Sequence, residues 1–143
     1  MDDIDYCVTT WGVDRALLQQ VRRKVFVLEQ QVPESEEWDE NDPLSVHVLA
    51  TRNREPVGTG RLTPAGKIGR MAVLSEVRGR GVGSRILRML VEEACHKGLL
   101  ELRLNAQVRA IPFYEKHGFC VEGPEFMEAG IPHRSMRRML SRA

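Results

Sequence analysis

Apolar residues recur along this chain at two spacings, one typical of strands and one typical of helices. The stretch 45–52 alternates apolar and polar side chains, which predicts a strand with one buried face. From Val82 to Ala94 the apolar residues fall three or four positions apart, which predicts an amphipathic helix that ends near Gly98. The same patterns predict further strands at 4–10, 57–63, 68–74, 99–106, 119–123 and 135–140, and further helices at 14–31 and 108–118.

Capping and turn residues set the expected boundaries of these helices. Asp14 is the expected N-cap of the first helix, and Pro33 is expected to end it before a polar loop. Gly118 is the expected C′ residue of the short helix. The resulting order, β-α-β-β-β-α-β-α-β-β, predicts an α/β chain whose mixed sheet carries helices on its faces.

Composition narrows the class of protein. A chain of 143 residues, 42% hydrophobic and 29% charged, fits one globular domain spanning 1–143. The formal net charge of +1 argues against a nucleic-acid partner. No apolar run reaches membrane-spanning length, and the acidic start MDDIDY is unlike a signal peptide, so no membrane partner is expected.

Cysteine and histidine usage adds two expectations. Cys7, Cys95 and Cys120 are odd in number and lack metal-type spacing, which favours a reduced, cytoplasmic setting. The four histidines form no ligand pair at helical or strand spacing, so no metal site is expected. They lie at positions 47, 96, 117 and 133.

Alternate glycines and two arginines stand directly before the helix that begins at Val82. They are Arg78, Gly79, Arg80, Gly81 and Gly83. Glycine lacks a Cβ, so a ligand can approach its main chain closely, and the first turn of a helix presents unpaired N–H groups. The stretch therefore predicts a phosphate or pyrophosphate site, with a glycine-rich turn and solvated arginines as the alternative. A P-loop needs Gly-Lys-Ser/Thr and a dinucleotide fold needs Gly-x-Gly-x-x-Gly, and both fit poorly.

Carboxylates are concentrated in a second region, between Lys24 and Arg52, which contains no basic residue. One interpretation is a solvated acidic loop. The other is a negative wall that attracts a cationic substrate. The carboxylates are Glu29, Glu34, Glu36, Glu37, Asp39, Glu40 and Asp42.

Two motifs together resemble the GCN5-related N-acetyltransferase (GNAT) family. Arg78, Gly81 and Gly83 fill that family's Gln/Arg-x-x-Gly-x-Gly/Ala loop, and the stretch AIPFYEKHGF at 110–119 matches its second signature. The element order agrees over nearly the whole chain. The stretches RKVFVLEQQVPESEEWDENDP and EAGIPHRSM further resemble a subgroup of small bacterial members.

The resemblance implies the GNAT acyl-CoA N-acyltransferase fold, acetyl-CoA as cosubstrate and a primary amine as acceptor. A small-molecule acceptor is favoured over a peptide, and a homodimer is one assembly that the resemblance allows. The loop N–H groups would hold the pyrophosphate, and a bulged strand would pair with the pantetheine arm. The implied cofactor-binding residues are Met71, Ala72, Val73, Arg78, Gly79, Arg80, Gly81, Val82, Gly83, Ser84, Gln107 and Tyr114.

Two positions depart from the family pattern. Ser75 stands where the family often has Pro, and Gln107 stands where it usually has Asn. An amide is kept at Gln107, but its reach is longer, and Asn105 is the alternative for the same contact.

The resemblance also implies a direct transfer, with Tyr114 as the general acid that protonates the coenzyme A sulfur. A phenol has an ordinary pKa of about 10 and keeps its proton at neutral pH. The general base stays open among Glu29, Glu37 and His47, acting directly or through water. Arg61 and His133 are further candidates for contact with the acceptor. The alternative interpretations are an exposed Glu29, a core His47 and an Arg61 that pairs with an acidic residue.

Two competing functions remain open on the sequence. One is a non-catalytic module that binds or senses acetyl-CoA, although the presence of Tyr114 favours an enzyme. The other is a different kind of nucleotide-binding domain, which the glycine spacing disfavours.

Overall fold

The computed structural model describes residues 3–140, without the side chain of residue 36. Its core is one seven-stranded mixed sheet with the strand order β1-β2-β3-β4-β5-β7-β6. The strands are β1 (Ile4–Thr10), β2 (Val46–Arg52), β3 (Glu55–Leu62), β4 (Lys67–Val73), β5 (Glu101–Gln107), β6 (Cys120–Glu128) and β7 (Ile131–Met139). The helices are α1 (Trp11–Arg22), α2 (Glu34–Glu37), α3 (Val82–His96) and α4 (Ile111–Glu115). A π-helical segment, Arg23–Glu29, continues α1, and 3₁₀ turns cover Asp42–Leu44, Ser75–Val77 and Val108–Ala110.

The sheet is antiparallel except at its centre. Strands β1 to β4 form a meander, and β5, β7 and β6 form a second antiparallel group. The two groups meet where β4 and β5 run parallel, and they pair only at Lys67 with Arg103 and at Ile68 with Leu104. Within the described residues, β4 and β5 therefore separate after Ile68, which opens a gap at the centre of the sheet.

Helices α1 and α3 cover opposite faces of the sheet. Adjacent residues of a strand point to opposite faces, so two neighbours on β2 show which helix lies on each side. On β2, Leu49 packs with Trp11 and Leu18 of α1, whereas the neighbouring Ala50 faces the α3 side with Ile86. The closest approach of α3 is at Gly60 of β3. A Cβ there would lie 2.8 Å from Ile86 and 2.6 Å from the Met71 sulfur, so the bare glycine lets α3 and β4 pack tightly.

The predicted mixed sheet with flanking helices and the predicted element order are confirmed. The predicted N-cap is wrong, because α1 begins at Trp11 and the Thr10 side chain accepts from the Val13 N–H. Asp14 instead sits at a kink with φ −120°, and its carboxylate accepts a 2.6 Å hydrogen bond from the Thr9 hydroxyl. Both Thr10 and Asp14 are good capping residue types, so the local pattern did not separate them.

Two other segments differ from prediction. The expected polar loop after Pro33 contains α2 and a 3₁₀ turn. Strands β6 and β7 extend far beyond 119–123 and 135–140, because β6 continues past Gly123 through a register shift between Glu122 and Phe126. Among the described helices, none is long and apolar enough to cross a membrane. Within residues 3–140, no group of three His, Cys, Asp or Glu side chains is arranged to hold a metal ion.

Candidate active site

A β-bulge at Arg70 shapes the edge of β4 that faces the central gap. The pairs Thr59–Ala72 and Arg61–Gly69 enclose one residue on β3 but two on β4. Arg70 adopts φ 51°, a left-handed conformation that non-glycine residues rarely adopt. Such a bulge bends its strand, and here it lies just where β4 leaves β5.

The main chain of Val73 is directed into this gap. Leu74 N–H donates to the Val57 carbonyl at 2.9 Å, so Val57 and Leu74 form a hydrogen-bonded pair. Hydrogen-bonded and non-bonded pairs alternate along antiparallel strands, so the N–H and C=O of Val73 point away from β3. The Arg78 Nε accordingly donates to the Val73 carbonyl at 2.9 Å from the gap side.

The glycine loop leads from β4 into the first turn of α3. Gly79 and Gly81 have φ 80° and 79°, and a Cβ on either would meet nothing within 4 Å, so the space over them is open. The first main-chain bond of α3 is donated by Arg85 to the Gly81 carbonyl at 3.0 Å. The N–H groups of residues 82–84 therefore lack a partner within the helix, and they present the positive end of its dipole.

Tyr114 lies on α4, which packs against the glycine loop through Phe113. A Cβ on Gly83 would lie 3.5 Å from the Phe113 ring, and the Phe113 and Tyr114 rings meet edge to face with centroids 5.0 Å apart. Burial raises the pKa of Tyr114 to about 12. The phenol therefore keeps its proton throughout the neutral and mildly alkaline range and can act as a donor.

A cleft of about 830 Å³ joins most of these features. It is lined by all the predicted cofactor residues outside residues 79–84, namely Met71, Ala72, Val73, Arg78, Gln107 and Tyr114. Residues 79–84 stand outside this wall and adjoin it through Arg78. A second hollow of about 550 Å³ shares Gln30, Gln107, Arg109 and Ile131 with the cleft, so the two adjoin.

The opposite wall of the cleft is a buried ion-pair network around Arg22. The Arg22 side chain is fully buried and lies 2.7 Å from both Glu37 and Asp42. Arg61 lies 2.7 Å from Asp39 and 2.9 Å from Asp42. A third arginine, at position 70, contacts Glu37 at 3.3 Å and Asp39 at 3.1 Å. Three arginines thus balance three carboxylates.

This network corrects both interpretations for the carboxylates that it contains. Glu37 and Asp42 are buried and not part of a solvated loop, and their arginine partners remove the excess charge that a negative wall needs. Burial raises the pKa of Glu37 above its ordinary value although Arg22 and Arg70 lie against it. Burial acts in the same direction on Asp42 and is the largest single influence there, but the hydrogen bonds and charge of Arg22, with hydrogen bonds from the Asp39 N–H and Arg61, together outweigh it and hold the pKa of Asp42 below its ordinary value.

The three candidate bases lie in different environments. Glu29 forms a two-pronged ion pair with Arg78, at 2.8 and 2.9 Å, and this hydrogen bonding lowers its pKa. Glu37 lines the cleft but is held by Arg22. His47 is 1% exposed and outside the cleft wall, with its Nε2 2.9 Å from the Asp42 carbonyl, and burial lowers its pKa. Arginines thus hold Glu29 and Glu37, and burial encloses His47; the role of Glu29 or Glu37 as a base stays a prediction.

Sequence reasoning missed the partner of Gln107. Its side-chain amide donates to the Gln30 oxygen at 2.9 Å, which ties the end of β5 to the end of the π-helical segment. The two residues are 77 positions apart, so no local pattern indicates the contact. The longer reach of Gln107, compared with the Asn usual in the family, is used for this bridge.

Comparisons with known proteins agree with this geometry. Residues 13–140 match the family model described as the acetyltransferase (GNAT) domain. The chain is 43% identical over 122 residues to the uncharacterized N-acetyltransferase YjcF of Bacillus subtilis (strain 168), which covers 82% of this chain and 87% of YjcF. The crystal structure of an acyl-CoA N-acyltransferase from Pseudomonas aeruginosa superposes with a TM-score of 0.85 at 28% identity, covering 94% of this chain and 99% of that one. Escherichia coli ElaA superposes with a TM-score of 0.86 at 28% identity and the same coverage. The chain belongs to the GNAT acetyltransferase family.

Proposed function

We propose that this chain is an N-acetyltransferase that moves the acetyl group of acetyl-CoA directly to a primary amine, a small molecule rather than a protein. Membership of the GNAT family supports acyl transfer to an amine. The observation that carries the proposal is the meeting of the open β4 edge, Arg78 and Tyr114 in one cleft.

The donor is held mainly by main-chain groups in this proposal. The pyrophosphate binds the N–H groups of residues 79–84, where positive-φ glycines leave open space at the start of α3. The pantetheine arm lies along residues 71–73 as an added strand, because that edge of β4 has no strand partner among the described residues. Gln107 borders the same cleft from β5 and, with its bridge to Gln30, limits its depth.

The chemistry uses two groups at the end of β4 and on α4. The Val73 N–H, directed into the gap, polarises the thioester carbonyl and stabilises the negative charge that develops on its oxygen. Tyr114 donates its proton to the departing thiolate. Acetyl-CoA supplies the activated acyl group. An ammonium with an ordinary pKa of about 10.4 must lose a proton before it can attack, so a base is also required.

The Arg78–Glu29 pair adjusts when the donor binds. Arg78 is fixed through its Nε to the Val73 carbonyl, while its terminal nitrogens bind Glu29. A pyrophosphate near the loop competes with Glu29 for those nitrogens. Arg80, which is exposed on the same loop, adds a further positive charge.

The proposal is tested by thiol release from acetyl-CoA with a panel of amines: a polyamine, an amino sugar, an amino acid and a lysine-containing peptide. We expect thiol release that depends on one of the small amines, together with acetyl-CoA binding by calorimetry. Tight binding without thiol release for any amine would contradict the enzymatic proposal and favour a non-catalytic acyl-CoA-binding module. Assembly as a homodimer stays a prediction.

A further inference from the structure

His133 lies on the floor of the cleft that Tyr114 also lines. It stands on β7 directly opposite Gln107 of β5, and the next pair on the same face is Ser135 with Asn105. Directly opposed residues point to the same face of a sheet, so the side chains of His133, Gln107 and Asn105 share the cleft side. His133 is only 6% exposed, so it is buried in the lining of the cleft and does not lie at its solvent-exposed edge.

The protonation pattern of the His133 ring is fixed by the main chain. Its Nδ1 lies 2.7 Å from the Ile131 carbonyl oxygen, and a carbonyl can only accept. The hydrogen of the neutral ring is therefore on Nδ1, and Nε2 carries the lone pair. Phe126 stacks on the ring, with centroids 6.0 Å apart and planes inclined by 23°, and restricts its rotation.

A second acceptor faces this lone pair. Glu128 Oε2 lies 3.5 Å from His133 Nε2, and the other Glu128 oxygen accepts from the Asn105 amide at 3.3 Å. The Ser135 hydroxyl, which donates to the Asn105 oxygen at 3.2 Å, orients that amide. With the neutral ring, the Nε2 lone pair and this carboxylate oxygen both accept, so an ammonium group with its three hydrogens can bridge them, whereas a protonated ring donates to Glu128 itself.

Glu128 differs from the other carboxylates of the cleft in its partners. Glu37 and Asp39 are paired with arginines, whereas Glu128 has no arginine or lysine partner within residues 3–140. Its charge is therefore available to a cationic ligand. The charged groups that line the cleft with His133 are Glu37, Asp39, Arg61, Lys67, Arg70, Arg78, Arg109 and Glu128.

We infer that His133, Glu128 and Asn105 form the binding site for the acceptor's ammonium group, and that His133 Nε2 is the general base. The inference rests on the proposed function and names the acceptor as a cationic primary amine. Glu128 binds the ammonium, and His133 Nε2 takes one of its protons. The neutral nitrogen forms the new C–N bond as the thioester C–S bond breaks, and the thiolate takes the Tyr114 proton. The attacking nitrogen's second proton returns to Tyr114 through water, and His133 releases the first to solvent.

His133→Asn tests the base, because an Asn amide can still donate to the Ile131 carbonyl while Nε2 is lost. We expect kcat/KM for the best amine to fall by about 10²–10⁴-fold, with the acidic limb of its pH profile lost. Glu128→Gln should instead raise the amine KM by about tenfold, because a charge-assisted hydrogen bond is lost, with kcat largely kept. Acetyl-CoA affinity should stay unchanged in both.

Matched controls lie outside the cleft. His96→Asn changes an exposed histidine of α3, and Glu122→Gln changes a glutamate of β6 that pairs with Arg103 and Arg137. Both should behave like the wild type. Thermal unfolding by circular dichroism identifies any variant that has lost its fold.

A readout independent of turnover uses the imidazole ¹⁵N resonances of His133 in the protein without acetyl-CoA. Adding 1,4-diaminobutane should shift the His133 Nε2 resonance with the same midpoint concentration in the wild type and in Glu122→Gln, and with a midpoint about tenfold higher in Glu128→Gln. No shift in the wild type would overturn the ammonium site, even if no amine in the panel is turned over. A wild-type pH profile in His133→Asn would overturn the base and leave the proposed acetyltransferase activity intact.

Discussion

The two sides of the cleft are built from different kinds of group. The donor side is made of main-chain N–H groups on β4 and at the start of α3, and its side chains are small or apolar apart from the arginines of the loop. The proposed acceptor side is lined by charged side chains from the acidic segment, β3 and the β6–β7 hairpin, and Arg22 of α1 binds the acidic segment from behind. The difference teaches that the proposed donor side depends on backbone conformation, whereas the proposed acceptor side depends on long-range side-chain placement.

This contrast also separates the consequences of mutation. A main-chain site is altered by residues that change the backbone, above all by adding a Cβ at a positive φ. A side-chain site is altered by removing one member of a network and leaving its partner unpaired. The following predictions use matched pairs of residues to separate the two effects, beginning with the largest.

Tyr114→Phe should have the largest effect, because it removes the proposed proton donor and leaves the ring packing with Phe113 and Phe119. We expect kcat to fall by about 10²–10⁴-fold with acetyl-CoA affinity unchanged. The control is Tyr6→Phe, which changes the chain's other tyrosine, on β1. Equal kcat values in the two variants would show that the Tyr114 hydroxyl is structural.

Arg22→Met should have the next largest effect, on stability. Arg22 is fully buried between Trp11 and Trp38, with its guanidinium 5.3 and 5.0 Å from the two ring centroids. Its loss leaves buried carboxylates without their partner, which costs about 3–5 kcal/mol in the free energy of unfolding.

Urea unfolding at pH 7 measures this loss against Arg23→Met. Arg23 is the next residue and also pairs with a carboxylate, Glu34, but both side chains are about half exposed, at 46% and 49%. Solvent screens that pair, so its loss should be much smaller. If both variants unfold at the same urea concentration, the buried network does not stabilise the acceptor wall.

Gly81→Ala should have a moderate effect, and it should lower both the stability of the fold and the affinity for coenzyme A. Gly81 and Gly98 both have a positive φ, 79° and 75°, and open space where a Cβ would stand. Alanine at either position should therefore cost a similar backbone strain, about 1–2 kcal/mol. Only Gly81 lies at the proposed pyrophosphate site. Calorimetry should show weaker coenzyme A binding by about tenfold for Gly81→Ala, and wild-type affinity for Gly98→Ala; equal affinities would remove the loop from the binding site.

Glu29→Gln should have the smallest effect, because its pair with Arg78 is exposed. Freeing Arg78 should raise coenzyme A affinity by no more than about fivefold at low salt, and less at high salt.

The same variant has a pH dependence. Hydrogen bonding to Arg78 lowers the pKa of Glu29, so the Glu29–Arg78 pair is present above the ordinary glutamate pKa and is lost as pH falls through the lowered value. The affinity gain should disappear in that acidic window. Glu34→Gln is the control, and a large loss of turnover in Glu29→Gln alone would instead support Glu29 as the base.

The backbone elements of the proposed donor side could be predicted from the sequence far better than the side-chain contacts of the proposed acceptor side, for a physical reason. Alternation and helical periodicity are local, so the strand and helix order could be read directly, and the glycines of the loop indicated its open backbone. Thr10 and Asp14 compete as caps within a few positions, so the start of α1 was misplaced. Gly123 and Pro124 resemble a turn, so the length of β6 was underestimated.

The acceptor side depends on contacts between distant residues. Arg22 meets Asp42 across 20 positions and Gln30 meets Gln107 across 77, and no spacing rule connects such pairs. The run of carboxylates was visible, but its arginine partners come from α1, β3 and β4. Charge counted along the chain therefore left a solvated loop and a negative wall open, whereas in space Glu37, Asp39 and Asp42 are balanced by three arginines.

The central claim is that main-chain groups of β4 and α3 hold the donor. Its most direct test is a titration of the ¹⁵N-labelled protein with coenzyme A, followed by ¹H–¹⁵N correlation spectra of the backbone amides. The account predicts the largest shift changes at Val73 and at residues 79–84, whose N–H groups face the gap or the open start of α3. Saturable binding that leaves these amides unshifted and perturbs others would contradict it.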